Sequence, residues 1–296
     1  MKTKLSILLT LAFVTGIFLV SITGCDDVDG KGEDANNEIH LPYADWSCTS
    51  AKTYVVTAIL EEEMGYDVNL TLADLGGIFT DVAAGNQDFY MAAWLPVTHM
   101  DYFEDNKDGL VDHNIVYEDA KIGLVVPEYM DIDSVTELDE YKEELEGEIT
   151  GIEPGAGLMQ ATETALEEYD SLSDFTLLDS SESGMVAELQ TRYDNEEPIV
   201  VTGWTPHWKF AQWDLKFLED PEGTFGEAEM IHVVTRNGLE EEKPDVAELL
   251  SNFYVDDETL GELMKIMEDV ESEDEAIEIA LEWIDENREL VNDWIP

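Results

Sequence analysis

The chain has 296 residues, with 70 Asp and Glu against 14 Lys and Arg, a formal net charge of -56 and 44% hydrophobic residues. Such an acidic balance repels nucleic acid and anionic membrane surfaces, which argues against either as a partner. There are two cysteines, Cys25 and Cys48, and no Cys/His cluster at metal-ligand spacing, so the reading includes no metal, no cofactor and a fold that rests on its core.

The first stretch, "MKTKLSILLTLAFVTGIFLVSITGC", has Lys2 and Lys4, an apolar run, then small residues leading to Cys25. That is a secretory signal over 1–24; removed, or retained uncleaved as an anchor, it places the rest outside the cytoplasm. "ITGC" resembles a lipobox, in which Cys25 becomes the lipidated N-terminus and anchors the chain to the membrane; a plain signal peptide with a chance cysteine is the alternative. Removing 1–24 takes away two lysines and no acid, and it leaves Cys48 as the remaining thiol. Residues 25–37, polar and rich in Asp, Gly and Asn, read as a flexible tether.

From there strands and helices alternate. "EIHLPYA" (38–44) is a predicted strand, "TSAKTYVVTAILEEEMG" (49–65) a helix, "DVNLTLA" (67–73) a strand, "LGGIFTDVAAG" (75–85) a helix and "DFYMAAW" (88–94) a strand. About 110 residues later the series recurs: "GEITGIE", "GLMQATETALEEY", "DFTLLD", "SGMVAELQTRY" and "PIVVTGW". Both series end in Trp-x-Pro, and Trp94 and Trp204 are 110 positions apart. Identity between the halves is low, so this is a structural repeat rather than a demonstrated duplication.

The alternation predicts an α/β fold of two Rossmann-like lobes with mostly parallel sheets, whose ligand cleft lies beyond the carboxyl ends of the strands. Residues 38–122 and 241–296 form the first lobe and 123–240 the second. "KIGLVVPEYM" and "EMIHVVTRNGL" are the natural crossings, and the amphipathic helices after them return to the first lobe. Their many acids fall between periodic apolar residues and read as solvated faces.

The cleft then gathers Trp46, Trp94 and His99 from one lobe, with Trp204 and "EPGAGLM" (153–159) from the other. Converging tryptophan faces attract a soft cation, best a quaternary ammonium with methyl groups and no N–H to satisfy. "PGAG" opens a helix, where the free amides of Gly157 and Leu158 favour an anion. Three cation–π contacts at roughly 1 to 2 kcal/mol each supply about 3 to 6 kcal/mol. Micromolar affinity requires about 8 kcal/mol, so both ends of a small zwitterion must be held.

At "GWTPHWKFAQWDLKFLEDP", "AAWLPVTHMDYF", "GIEPGAGLM" and "KIGLVVPEYM" the chain resembles the substrate-binding proteins of ABC transporters for glycine betaine and related compatible solutes. The resemblance implies a periplasmic binding protein of type II. It also implies a tryptophan cage of Trp46, Trp94 and Trp204 around the trimethylammonium group, with Gly157, Leu158 and His99 on the carboxylate. It further implies a monomeric receptor without catalysis that delivers betaine to a membrane permease for osmoprotection. Choline, carnitine and proline betaine remain alternative ligands, and a sensor module of the same fold an alternative role. No nucleophile elbow, metal set or Gly-x-Gly-x-x-Gly supports an enzyme. Trp208 and Trp213 read as packing residues, Trp283 and Trp294 as core or surface staples, His207 as a helix-start residue and Cys48 as a small buried one.

Acidity at this density suits work in strong salt, where screening shortens to about 3 Å at 1 M. The unfolding midpoint of the ligand-free protein is therefore expected to rise by at least a few degrees from low to molar potassium chloride, as salt relieves repulsion among crowded carboxylates. A midpoint flat across that range removes the halophilic reading.

Overall fold

Glu38–Tyr43 (β1) and Asp67–Leu72 (β2) pair in parallel, joined by the helix Ser47–Glu62 (α1). A computed structural model describes residues 37–268 and 270–296; the 1–24 leader, Cys25 and the tether up to residue 36 lie outside the described residues. Leu75–Ala83 (α2) follows, capped by Asp74 accepting from the Gly77 amide, then Phe89–Leu95 (β3), buried at every position. β3 enters beside β1, where the Asp88 amide donates to the His40 carbonyl at 2.8 Å.

Met100–Asn106 (α3) leads into Leu110–Pro127 (β4), one strand of 18 residues that serves both lobes. The second unit repeats the first: Glu148–Thr150 (β5), Gly157–Glu168 (α4), Thr176–Leu178 (β6), Glu182–Asp194 (α5) and Val201–Thr205 (β7). β5 pairs in parallel with both β6 and β7. Lys209–Gln212 (α6) and Leu215–Phe217 (β8) complete this half, and Glu229–Arg236 (β9) returns the chain. Leu239–Glu242 (α7), Pro244–Asn252 (α8), Asp257–Ile266 (α9), Glu273–Glu286 (α10) and Arg288–Trp294 (α11) end it.

Two expectations need correction. The larger sheet runs β3-β9-β4-β7-β5-β6, with β8 on β4, and β4, β8 and β9 make antiparallel pairs, so the sheets are mixed rather than mostly parallel. The βαβ crossovers force parallel pairing inside each unit, whereas a strand that leaves a lobe and one that comes back run against their neighbours. The boundary at 240 also moves. β9 pairs with β3 and with residues 110–120 of β4, so 229–236 belongs to the sheet of the first lobe and the return crossing precedes it.

α1 is buried over nearly its whole circumference, with Val55 through Leu60 all inside, because α9 and α10 cover the side away from the strands. This explains its lack of a clear apolar stripe: a helix enclosed on all sides has no broad solvent face to set against a core face, and here it buries Thr49, Lys52, Thr53 and Thr57 along with its apolar residues. Trp283 and Trp294 of the last helices are 3% and 2% exposed and stack on each other, as core.

Candidate functional site

β3 and β7 deliver a tryptophan to the same place. Trp94 and Trp204 each stand one residue before the end of their strand, and each strand closes on a cis X-Pro bond, Leu95–Pro96 and Thr205–Pro206. Trp46 arrives as the residue preceding α1, in extended conformation. Trp46, Trp94, His99, Gly157, Leu158 and Trp204, the six residues expected from the sequence, line one cavity between the lobes. The three indoles are 9%, 4% and 4% exposed and His99 is 2% exposed, so the walls are closed to bulk water. Cation–π attraction is worth most in such a desolvated setting, at about 2 kcal/mol or more per ring.

The other end of the cavity is lined by N–H groups. The residue before α4 is Ala156, which has no side chain to cap the helix, so the first-turn amides of Gly157 and Leu158 are left for another acceptor. His99 and Trp94 exchange two hydrogen bonds: the His99 amide donates to the Trp94 carbonyl at 2.9 Å, and the Trp94 amide donates to His99 Nδ1 at 3.0 Å. With Nδ1 an acceptor, the ring proton sits on Nε2, a donor. Burial pushes the His99 pKa down to about 3, against a smaller upward pull from the Ala92 carbonyl, so the ring is neutral at physiological pH. The site therefore offers an anion N–H groups without a formal charge.

Four wall residues were not expected, Cys48, Thr98, Ile122 and Ile152, while Ala156 belongs to the 153–159 stretch already placed in the cleft. Ile122 is paired with Trp204 across β4 and β7, a register that no local pattern announces. Glu229 is a further silent contributor. It is 2% exposed on β9, and its carboxylate accepts the Val97 amide at 3.1 Å, the Thr98 amide at 3.0 Å and the Thr98 hydroxyl. That clamp sets the loop between Trp94 and His99. Its only sequence signal is an acid at the head of an apolar strand.

Other residues fall outside the cavity. His207 Nδ1 accepts the Lys209 amide at 3.0 Å, the bond of a helix start, and Trp208 packs between His207 and Trp213. Among the described residues no group of three or more His, Cys, Asp or Glu is disposed to hold a metal, and no helix is long and apolar enough to cross a membrane.

Residues 37–286 match the family model for the substrate-binding domain of ABC-type glycine betaine transport systems, OpuAC. The chain belongs to this family. It is 42% identical over 153 residues to the glycine betaine/carnitine transport binding protein GbuC of Listeria monocytogenes, an alignment covering 51% of this chain; the chain spans half (50%) the length of that curated relative. The solved structure of lactococcal OpuAC, closed and complexed with glycine betaine, superimposes with a TM-score of 0.81 at 33% identity, covering 88% of this chain and all of the other (100%). An ABC-transporter choline binding protein in complex with choline superimposes with a TM-score of 0.80 at 25% identity, covering 87% of this chain and 91% of the other.

The lobes meet backbone to backbone at Gly157. A Cβ there would lie 2.2 Å from the Thr98 carbonyl oxygen and 2.6 Å from Thr98 Cγ2. Gly157→Ala is expected to hold the lobes apart while each folds, giving a larger radius of gyration by small-angle scattering and indoles more open to acrylamide quenching. Gly261→Ala, where no atom stands within 4 Å, is the control and should change neither.

Proposed function

We propose that the chain is an extracytoplasmic receptor that captures glycine betaine, or a closely related quaternary-ammonium zwitterion, and delivers it to the membrane permease of an ABC importer. One observation carries the reading: two strand-end tryptophans and one from the start of α1 share a cavity with an uncapped helix start and a neutral histidine. Trp46, Trp94 and Trp204 take the trimethylammonium group; the amides of Gly157 and Leu158 and Nε2 of His99 take the carboxylate. Nothing is transformed: binding shifts the lobes toward the closed arrangement. A choline-binding neighbour has the same fold, so the fold by itself does not choose the ligand. The anion end does, because choline would leave those N–H groups unmatched at about 1 to 3 kcal/mol for each buried donor left bare.

Trp204→Ala is expected to weaken glycine betaine binding at least about tenfold, from the loss of roughly 1 to 2 kcal/mol of cation–π attraction together with buried apolar area. Calorimetry on the folded variant checks it, and unchanged affinity removes the cage. Trp208→Ala, which loses packing against His207 and Trp213, should lower the unfolding midpoint more than the affinity.

The receptor is further proposed to act as a monomer tethered through lipidated Cys25. One acyl chain anchors marginally, so two are the physically sufficient form. Cys25→Ser should move the protein from the membrane fraction into the soluble one. A wild-type protein that is wholly soluble, with an unmodified N-terminus, overturns the anchor.

A further inference from the structure

α1 begins without a cap of its own. The residue before it is Trp46, whose side chain caps nothing, and its first turn contains no acid. Helices α2, α5, α9 and α10 are each capped by the preceding Asp or Ser: Asp74, Ser181, Asp256 and Ser272. The amides of a first turn need acceptors, and one shut away from water without an acceptor is destabilising.

The acceptors come from the other lobe. Glu182 Oε2 receives the Ser47 amide at 3.0 Å, and Glu153 Oε2 receives the Trp46 indole N–H at 3.1 Å. Glu153 Oε1 in turn accepts the Glu182 amide at 3.3 Å, which ties the two acids together. Glu153 lies on the loop after β5, and Glu182 opens α5 after β6. Both therefore stand at the carboxyl edge of the second lobe, facing the start of a helix in the first.

We propose that Glu153 and Glu182 are positioning residues that cap α1 across the cleft, so that closing the lobes and orienting Trp46 are a single event. The proposal rests on the reading of Trp46 as one wall of the ligand cage. With the lobes apart, the Ser47 amide and the Trp46 indole N–H face water, and the ring is free to turn. With the lobes together, both donors are taken and the ring plane is held. The cage is complete only when closed, which concentrates its attraction in the state that retains ligand.

The network reaches the second tryptophan as well. Lys209 is fully buried, its Nζ has no hydrogen-bond partner, and it sits 4.2 Å from the centroid of Trp204. Burial alone would raise the Glu182 pKa, but His207, the Ser47 amide and Lys209 reverse that and hold the carboxyl below its ordinary value. His207 Nε2 lies 3.2 Å from Glu182 Oε1. One buried carboxylate thus joins the start of α1 in one lobe to the Lys209 amino group packed on Trp204 in the other, whose pKa burial lowers to about 7 against a smaller upward pull from Glu182.

Stopped-flow indole fluorescence with glycine betaine as probe tests the coupling. Glu153→Ala should speed dissociation at least tenfold and alter association less than threefold, whereas Glu153→Gln, which keeps an acceptor oxygen, should stay within threefold of wild type. In a Trp46→Phe background, which lacks the indole donor, Glu153→Ala should have no further effect. A dissociation rate unchanged by Glu153→Ala, or an equal effect in both backgrounds, overturns the proposal. A second arm needs no ligand: dyes at Glu167→Cys on α4 and Glu282→Cys on α10, both exposed, report the separation of the lobes by energy transfer. Glu182→Ala should deplete the closed population severalfold relative to wild type, and an unchanged distribution overturns the latch. A wild-type protein that fails to bind betaine, with the closed population still dependent on Glu182, counts against the cage and leaves the latch standing.

Discussion

The arrangement turns on one close approach. Gly157, at the start of α4, lies against the carbonyl of Thr98, on the loop that follows β3, in a gap too narrow for any Cβ. That contact brings an uncapped helix start, three indoles and a neutral imidazole onto one cavity with buried walls. Burial gives the parts their strength: an aromatic face attracts a cation weakly in water and far more when the cation has been desolvated. Much of the surrounding architecture serves the contact. β3 and β7 end at the cavity, β9 brings Glu229 to clamp the Thr98 loop, and the Tyr102 hydroxyl of α3 donates to the Gly155 carbonyl at 2.8 Å from across the cleft.

Charge is handled differently inside and out. The surface carries most of the 70 acids, and the 14 basic residues pair with only some of them. Within the described residues the buried acids are each provided with donors. Asp88 takes Arg236 at 2.8 Å, Glu229 takes the Val97 and Thr98 amides, and Glu182 takes the Ser47 amide. A buried carboxylate without such partners would shed its charge, so these contacts keep acids in place where desolvation works against them. The cavity itself carries no formal charge on its walls, since His99 is neutral. In the proposed reading, a ligand with both charges and no net charge meets indole faces at one end and N–H groups at the other, and is indifferent to the strong field of the acidic surface.

The local elements were readable from the sequence because they depend on near neighbours. Alternation at two residues, apolar recurrence at three and four, and a Gly-rich helix start are short-range signals. The Trp-x-Pro ends of β3 and β7 were legible for the same reason, repeated 110 positions apart. What escaped was long-range. "EMIHVVTRNGL" reads as a buried strand whichever sheet it joins, and only its pairing with β3 and β4 assigns it to the first lobe. Glu229, Ile122 and Thr98 escaped likewise, because an acid, an apolar residue and a hydroxyl in those contexts have ordinary roles until a partner distant in sequence gives them another.

The sequence by itself determined the strand–helix order, the doubled unit and the residue types of the site, since side-chain periodicity and the chemistry of Trp, His and a Gly-rich helix start are properties of short segments. The tertiary structure decided which strands leave and re-enter each lobe, and that β4 serves both. It also decided that α1 borrows Glu182 and Glu153 from across the cleft. Those choices depend on pairing and packing between segments far apart in the chain. A buried amide or indole N–H takes whatever acceptor the fold brings within about 3 Å, and a linear pattern carries no record of which one that will be.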